Sequence, residues 1–296
     1  MQTFSLPKTT SKPIPALGIG GMPFSRPGRD LDESISIIHF GLNHGMTLLN
    51  TADVYAPSAE EMGHNEKLMG EALRQWDGDQ SKVIVVTKNG ITRSKDQWNR
   101  NGSKEYLLRA AEKSNKELGM VPDLLLHHRI DQSRSFTEQA QAMLAVLNAG
   151  LTKKIGFSNI KQSEYEIAQQ ETHGQVSAVE NERSPRYRSD VEVLESCTKD
   201  QIAYLAWSPL GGENDAKNLG TLYPEFNEVA RDLEVTAQQV ALAWLRTHSN
   251  VLVPIPGFTK IKTAESTIAS ADLTLSNDQI ALLNSSKPGN GSVYPS

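Results

Sequence analysis

The sequence predicts an α/β fold, a (β/α)8 TIM barrel of eight parallel strands with surrounding helices, in a single domain over residues 1–296. Three observations predict it. Apolar runs of strand length alternate eight times with stretches of helical periodicity. The runs are apolar throughout, as strands covered on both faces must be. Nearly every chemically useful residue falls just after one of these runs, where a parallel barrel carries its active site. An open doubly wound sheet is the alternative, because periodicity does not give strand order; eight repeats favour closure.

Residues 1–15 are polar and proline-spaced and predict a short N-terminal hairpin ahead of the first core strand. Strands are predicted near 17–19, 47–49, 83–86, 124–126, 154–157, 176–179, 203–206 and 251–253. Between them, helical spacing shows in Ile38/Leu42/Gly45, Met69/Ala72/Leu73/Trp76, Leu107/Ala111/Leu118 and Phe136/Ala140/Met143/Leu147. Asp32, Ser103 and Ser135 are start signals for the first, third and fourth helices, since their side chains can accept a first-turn N–H. No Pro/Gly/Ser linker divides the chain. Residues 89–104, 211–221 and 286–296 read as loops longer than a simple barrel needs, and on the catalytic rim they would shape a pocket.

Composition narrows the function classes. The net charge of −5 comes without a block of like charges, which argues against a nucleic-acid surface. One cysteine, Cys197, excludes an intrachain disulfide, suits a reducing compartment and is expected as a half-buried thiol on a helix. The first residues lack a basic segment followed by an apolar one, and no apolar stretch approaches the roughly 20 residues that span a bilayer. A soluble, cytoplasmic protein is expected, with no nucleic-acid or membrane partner. No His and carboxylate cluster has metal-ligand spacing, so no metal is expected.

If the runs are strands of one barrel, Tyr55, Lys88 and His128 share a rim. A phenol, an ammonium and an imidazole converging there suit proton transfer to or from a substrate oxygen. A free phenol titrates near 10, and a nearby ammonium favours its anion. Of the two adjacent histidines, alternation turns His127 away from His128. Gly18-Ile19-Gly20-Gly21 is followed by Met-Pro, so the Gly-x-Gly-x-x-Gly dinucleotide fingerprint fails.

Several segments together resemble the aldo-keto reductase family. They are Asn50-Thr51-Ala52-Asp53-Val54-Tyr55 followed by Gly63-His64-Asn65-Glu66, then Lys88, and Leu126-His127-His128-Arg129-Ile130-Asp131. Gly156-Phe157-Ser158-Asn159 and Trp207-Ser208-Pro209-Leu210-Gly211 complete the series, in order, from about residue 17 to residue 260. The resemblance implies an NADP(H)-dependent oxidoreductase that reduces an aldehyde or ketone, or runs the reverse alcohol oxidation. It implies a catalytic tetrad in which Tyr55 donates the proton, Lys88 lowers its pKa and His128 orients the carbonyl. Asn50 stands where the family has Asp and brings no negative charge to Lys88; Asp53 is a weaker substitute and more at home in a turn.

For the cofactor, the resemblance assigns Ser158, Asn159 and Glu180 to the nicotinamide carboxamide, with Glu180 where Gln is usual. Trp207 would stack on the nicotinamide ring, and Ser208, Leu210 and Gly211 would approach the pyrophosphate. Gly257, Thr259 and Lys260 fall in the loop that grips the 2′-phosphate, which favours NADPH; Ser266-Thr267 replace the pair that reads adenine. Met22, Phe24, Trp98 and His127 are expected to line the pocket for a small carbonyl or alcohol substrate, with Arg129 and Arg26 close in sequence. The alternative is an NADP(H)-binding regulatory barrel without turnover, and Asn50 is the feature that favours it.

Overall fold

The computed structural model describes residues 1–95, 97–289 and 291–294. Its first elements form the expected hairpin, with β1 (Thr3–Phe4) antiparallel to β2 (Ile14–Pro15). Between these strands, Thr9 Oγ1 donates to Ser177 O at 2.5 Å and accepts from Ala203 N at 2.8 Å, which ties the hairpin to the barrel.

Eight parallel strands follow among the described residues: β3 (Ile19–Gly20), β4 (Leu48–Asn50), β5 (Ile84–Asn89), β8 (Leu124–His127), β9 (Ile155–Ser158), β10 (Val176–Glu182), β11 (Ala203–Trp207) and β12 (Leu252–Pro254). They pair in that order, and the two end strands meet. Gly18 N donates to Pro254 O at 3.0 Å and Gly20 N to Pro256 O at 2.9 Å. A Cβ at Gly20 would lie 2.7 Å from Ile255 O, so this seam needs glycine. The sheet is closed, and the open-sheet alternative is set aside.

The helices are α1 (Leu31–Asn43), α2 (His64–Gln75), α3 (Lys104–Leu118), α4 (Phe136–Asn148), α5 (Gln162–Glu171), α6 (Val191–Asp200), α7 (Gly212–Leu222), α8 (Pro224–Asp232), α9 (Ala237–Thr247), α10 (Ile261–Ala269) and α11 (Asn277–Ser285). Ser103 and Ser135 cap α3 and α4 as expected. The cap of α1 is Asp30, which accepts from Glu33 N at 2.8 Å, and Asp32 sits inside the first turn instead. Cys197 is fully buried in α6 rather than half-buried.

Two of the expected loops carry structure. Residues 89–104 contain a hairpin, β6 (Ile91–Ser94) against β7 (Gln97–Arg100), with position 96 outside the described residues. The stretch 211–221 is almost wholly α7, entered through Gly211 and Gly212 at φ 79° and 85°. In the tail 286–296, positions 290, 295 and 296 lie outside the described residues. Among the described residues no helix is long and apolar enough to cross a membrane.

Each barrel strand reaches one or more residues beyond its predicted end. Asn50, Lys88, Asn89, His127, Ser158, Glu180 and Glu182 are strand residues, and all are buried. Polar chemistry therefore sits inside the barrel mouth, on hydrogen-bonded backbone rather than on loose loops.

Candidate active site

The loop carrying Tyr55 is anchored before any ligand arrives. Asp53 N donates to Lys88 O at 3.1 Å, Tyr55 N to Ala52 O at 3.2 Å, and Asn65 N to Tyr55 O at 3.1 Å. Asn65 is fully buried at the start of α2 and joins three segments. Its side chain accepts from Thr51 Oγ1 at 2.7 Å and donates to Gly21 O at 2.9 Å and Ser25 Oγ at 2.7 Å. Sequence reading gave Asn65 no role; its place in the Gly63-His64-Asn65-Glu66 segment was the available signal.

Tyr55, Lys88, Asn50 and His128 come together at the mouth. Lys88 Nζ lies 3.3 Å from Tyr55 Oη, 2.7 Å from Asn50 Oδ1 and 2.8 Å from Thr51 O. The ring of His128 meets the ring of Tyr55 edge-on, with centroids 5.7 Å apart. Glu180 completes the cluster from the opposite wall: Lys88 Nζ is 3.2 Å from Glu180 Oε1, and Asn50 Nδ2 donates to Glu180 Oε2 at 2.6 Å. Asn50 itself brings no charge to Lys88; the carboxylate beside Lys88 is that of Glu180, a pairing sequence reading did not foresee. Asp53 is not that neighbour; it is buried with Glu66 as its nearest like charge, and burial holds it well above the usual carboxylate range.

The electrostatics follow from burial. Desolvation raises the Tyr55 phenol above 10, and Glu180 adds to the rise; Lys88 pulls downward without cancelling them. Lys88 acts in the expected direction, and burial decides the net sign. For Lys88, burial works against the charge, but Glu180 and then Tyr55 outweigh it, so the ammonium is held above its ordinary value. His128 is driven well below the usual histidine range, first by burial and then by Lys88 and Arg129, which leaves a neutral imidazole. Its Nδ1 is buried without a hydrogen-bond partner among the described residues.

The residues assigned to a cofactor lie on four consecutive strands, β9 to β12, and the loops after them. Ser158 Oγ donates to Glu180 O at 2.7 Å, and Asn159 Nδ2 to His128 O at 3.0 Å. Trp207 Nε1 donates to Asn159 Oδ1 at 3.1 Å. Ser208 and Gly211 take positive φ of 45° and 79°, bending the chain from β11 into α7, with Leu210 half-buried between them. Gly257 packs so closely that a Cβ would meet Pro23 Cγ at 2.6 Å. Thr259 and exposed Lys260 stand at the N-terminus of α10, which has no side-chain cap. Arg29, unforeseen from sequence, donates to Thr259 O at 3.4 Å, and its buried Nε has no partner among the described residues. Thr267 is buried within α10 beside half-buried Ser266.

The pocket residues divide. Met22 is 36% exposed on a 3-10 turn after β3, and Trp98 is exposed on the β6–β7 hairpin under Arg93, 4.9 Å from its ring. Arg93 donates to Ala56 O at 2.8 Å, which docks that hairpin beside Tyr55. Phe24 is buried, edge-on to Phe258 at 6.3 Å. His127 is buried, with its Nε2 2.7 Å from Gln139 Oε1. Arg26 is engaged with Glu213 at 2.6 Å. Arg129 lies over the Trp207 ring at 5.8 Å and donates to Tyr294 O at 3.1 Å. The tail returns across the rim here, with the Tyr294 ring 6.0 Å from Trp207 and Val293 N donating to Glu182 Oε1 at 3.0 Å. Among the described residues no group of three His, Cys, Asp or Glu could hold a metal ion.

Comparison with known proteins identifies the family. The sequence model of the Aldo/keto reductase family matches residues 16–287. An uncharacterised oxidoreductase of Schizosaccharomyces pombe is 29% identical over 275 residues, covering 90% of this chain and 85% of its own. Pyridoxine 4-dehydrogenase of Escherichia coli is 28% identical over 287 residues, covering 93% and 95%. A crystal structure of an aldo-keto reductase from Klebsiella pneumoniae in complex with NADPH superposes with a TM-score of 0.79 at 22% identity, covering 96% and 95%. With the family's model spanning nearly its whole length and the polar cluster at the mouth of a closed barrel, this chain belongs to the aldo/keto reductase family.

Proposed function

We propose that this protein is an NADPH-dependent reductase of an aldehyde or ketone, with Tyr55 as the proton donor and alcohol oxidation as the reverse reaction. The observation that carries the reading is the contact of Lys88 Nζ with Tyr55 Oη at 3.3 Å beside a neutral His128. When bound, the reduced nicotinamide supplies the hydride, which no side chain can. The chain's own residues do the rest. His128 orients the carbonyl by a hydrogen bond from its ring. Tyr55 gives its phenolic proton to the carbonyl oxygen, and the adjacent ammonium of Lys88 balances the charge left on the phenol oxygen.

Two observations support a fit to NADPH. Ser158, Asn159, Trp207, Ser208, Leu210, Gly211, Gly257, Thr259 and Lys260 trace one arc along consecutive strands. At its far end, a helix N-terminus, Lys260 and the unpartnered Nε of Arg29 together suit a phosphate. Glu180 has a second part beside the one assigned to it, since its carboxylate oxygens also serve Asn50 and Lys88. The Glu180 carboxylate beside Lys88 weakens the argument that Asn50 made for a regulatory barrel. The neighbour that carries NADPH and the pyridoxine dehydrogenase among the relatives point the same way. We place the enzyme in the cytoplasm, where its lone cysteine suits a reducing environment.

The direct test is to follow tryptophan fluorescence while adding NADPH, then add a panel of aldehydes and ketones and follow loss of reduced-nicotinamide absorbance. Quenching with consumption supports the reductase; quenching without consumption by any member of the panel returns the regulatory barrel to the front. In the same titration Lys260→Ala is expected to weaken NADPH binding about tenfold, the effect of one charge-assisted hydrogen bond, and NADH much less. Equal losses for both nucleotides would place the 2′-phosphate elsewhere.

A further inference from the structure

Lys88 has no exposed surface, so its charge and its hydrogens must be answered inside the protein. The charged and titratable groups that face it are Tyr55 from the loop after β4, Glu180 from β10, His128 from the end of β8 and Arg129 beyond Tyr55. His128 is neutral and Arg129 is a cation. Among the described residues Glu180 is then the one carboxylate paired with Lys88. In the closed sheet β10 stands four strands from β4, which in a barrel of eight is the opposite wall.

The orientation of Asn50 is forced. Its Oδ1 faces an ammonium, which can only donate, and its Nδ2 faces a carboxylate, which accepts. Flipping the amide would set NH₂ against NH₃⁺ and oxygen against oxygen. Asn50 is thus a bridge between cation and anion, a part that an aspartate could not play beside Glu180. Both Glu180 oxygens accept hydrogen bonds or charge, as the ionised form requires.

We propose that Glu180 is a positioning residue of the reaction, supplying from the opposite wall, through its contact with Lys88 and the Asn50 bridge, the negative charge that keeps Lys88 protonated beside Tyr55. Against the pattern the resemblance implies, Asn50 and Glu180 hold the amide and the carboxyl in exchanged positions, which leaves one carboxylate beside Lys88. The proposal rests on the reductase reading for its catalytic consequence, but the charge pairing is measurable in the protein without cofactor.

The test compares wild type, Glu180→Gln and the double variant Asn50→Asp/Glu180→Gln. The first readout is denaturant stability against pH in cofactor-free protein. Without its carboxylate, buried Lys88 falls below its unfolded value near 10.4, so the unfolded chain binds more protons as pH rises. The stability gap between wild type and Glu180→Gln should then narrow from pH 7 upward. A gap that stays constant with pH would reduce Glu180 to packing and overturn the proposal. The second readout is the high-pH limb of kcat/KM. Removing an anion makes the Tyr55–Lys88 couple lose its first proton at lower pH, whichever atom releases it. The limb should move down by about two pH units, and the double variant should bring it back.

A limb that does not move, or a double variant that behaves like Glu180→Gln, overturns the proposal. If Glu180→Gln fails to fold, the double variant, with the wild-type charge count, carries the test, and its failure to fold counts against the exchange. If no substrate is turned over, the stability readout still decides the pairing, which separates failure of this proposal from failure of the reductase reading.

Discussion

Tyr55→Phe should remove carbonyl reduction while leaving the fold and nucleotide binding intact, a loss in kcat of roughly 10²–10⁴-fold, the usual scale of a deleted general acid. The substitution takes away one atom. The ring keeps its edge contact with His128, and Lys88 keeps Asn50, Thr51 and Glu180, all closer than Tyr55. Initial rates with NADPH and the best aldehyde, set beside a fluorescence titration of NADPH, check both halves. A variant that still turns over would remove Tyr55 as the acid. The raised phenol adds a pH signature to the wild type. Desolvation, with Glu180 behind it, keeps Tyr55 protonated through neutral pH, so reduction should stay level there and fall only in alkali. Alcohol oxidation needs the phenolate and should rise as pH rises.

The strand ends show how much of this was legible in the sequence. Apolar runs located every barrel strand, because a strand covered on both faces has no other way to read. They stopped early because a polar residue ends an apolar run without ending a hydrogen-bonded ladder. β5 continues through Lys88 and Asn89, and β10 through Glu180 and Glu182, inside a mouth where polar groups pair with each other. The β6–β7 hairpin left no periodic signal, since its residues are polar and mostly outside the core. Helix α7 hid behind two glycines and buries only Leu219. Tyr55, Lys88 and His128 could be named in advance because each follows its own apolar run, and the ends of those runs share a rim.

The partnership of Glu180 with Asn50 and Lys88 could not be named, because it joins β10 to β4 and β5 across the barrel and depends on the order of strands. Its trace in the sequence was a coincidence of two departures from the family pattern, an acid lost at position 50 and an acid gained at position 180. Read singly, Asn50 suggested impairment and Glu180 a compromised amide contact. The distances of 2.6 and 3.2 Å place them in one hydrogen-bonded cluster.

Lys88→Met separates this arrangement from ordinary packing, because it removes the cation while nearly keeping the side chain's length. Turnover should fall by roughly 10²-fold or more, since Tyr55 loses its nearest cation and must release its proton without it. The stability consequence has a definite sign. Glu180 is left buried with only Asn50 for a partner, and an unpaired buried charge costs about 3–5 kcal/mol unless it takes up a proton. It will take one up, because burial already raises its carboxyl and Lys88 is what pulls it back. A group whose folded pKa lies above the unfolded value of about 4.3 contributes stability below that value and loses it as pH rises through the folded pKa. Lys88→Met should therefore be closest to wild type in acid and fall further behind toward neutral pH. Glu180→Gln should do the opposite and recover in alkali, because there the stranded group is a base. Guanidinium midpoints measured for both variants from pH 5 to 10 check the pair together. Two gaps that diverge in opposite directions require a folded chain in which Lys88 and Glu180 are both ionised; two gaps flat in pH would mean they are not.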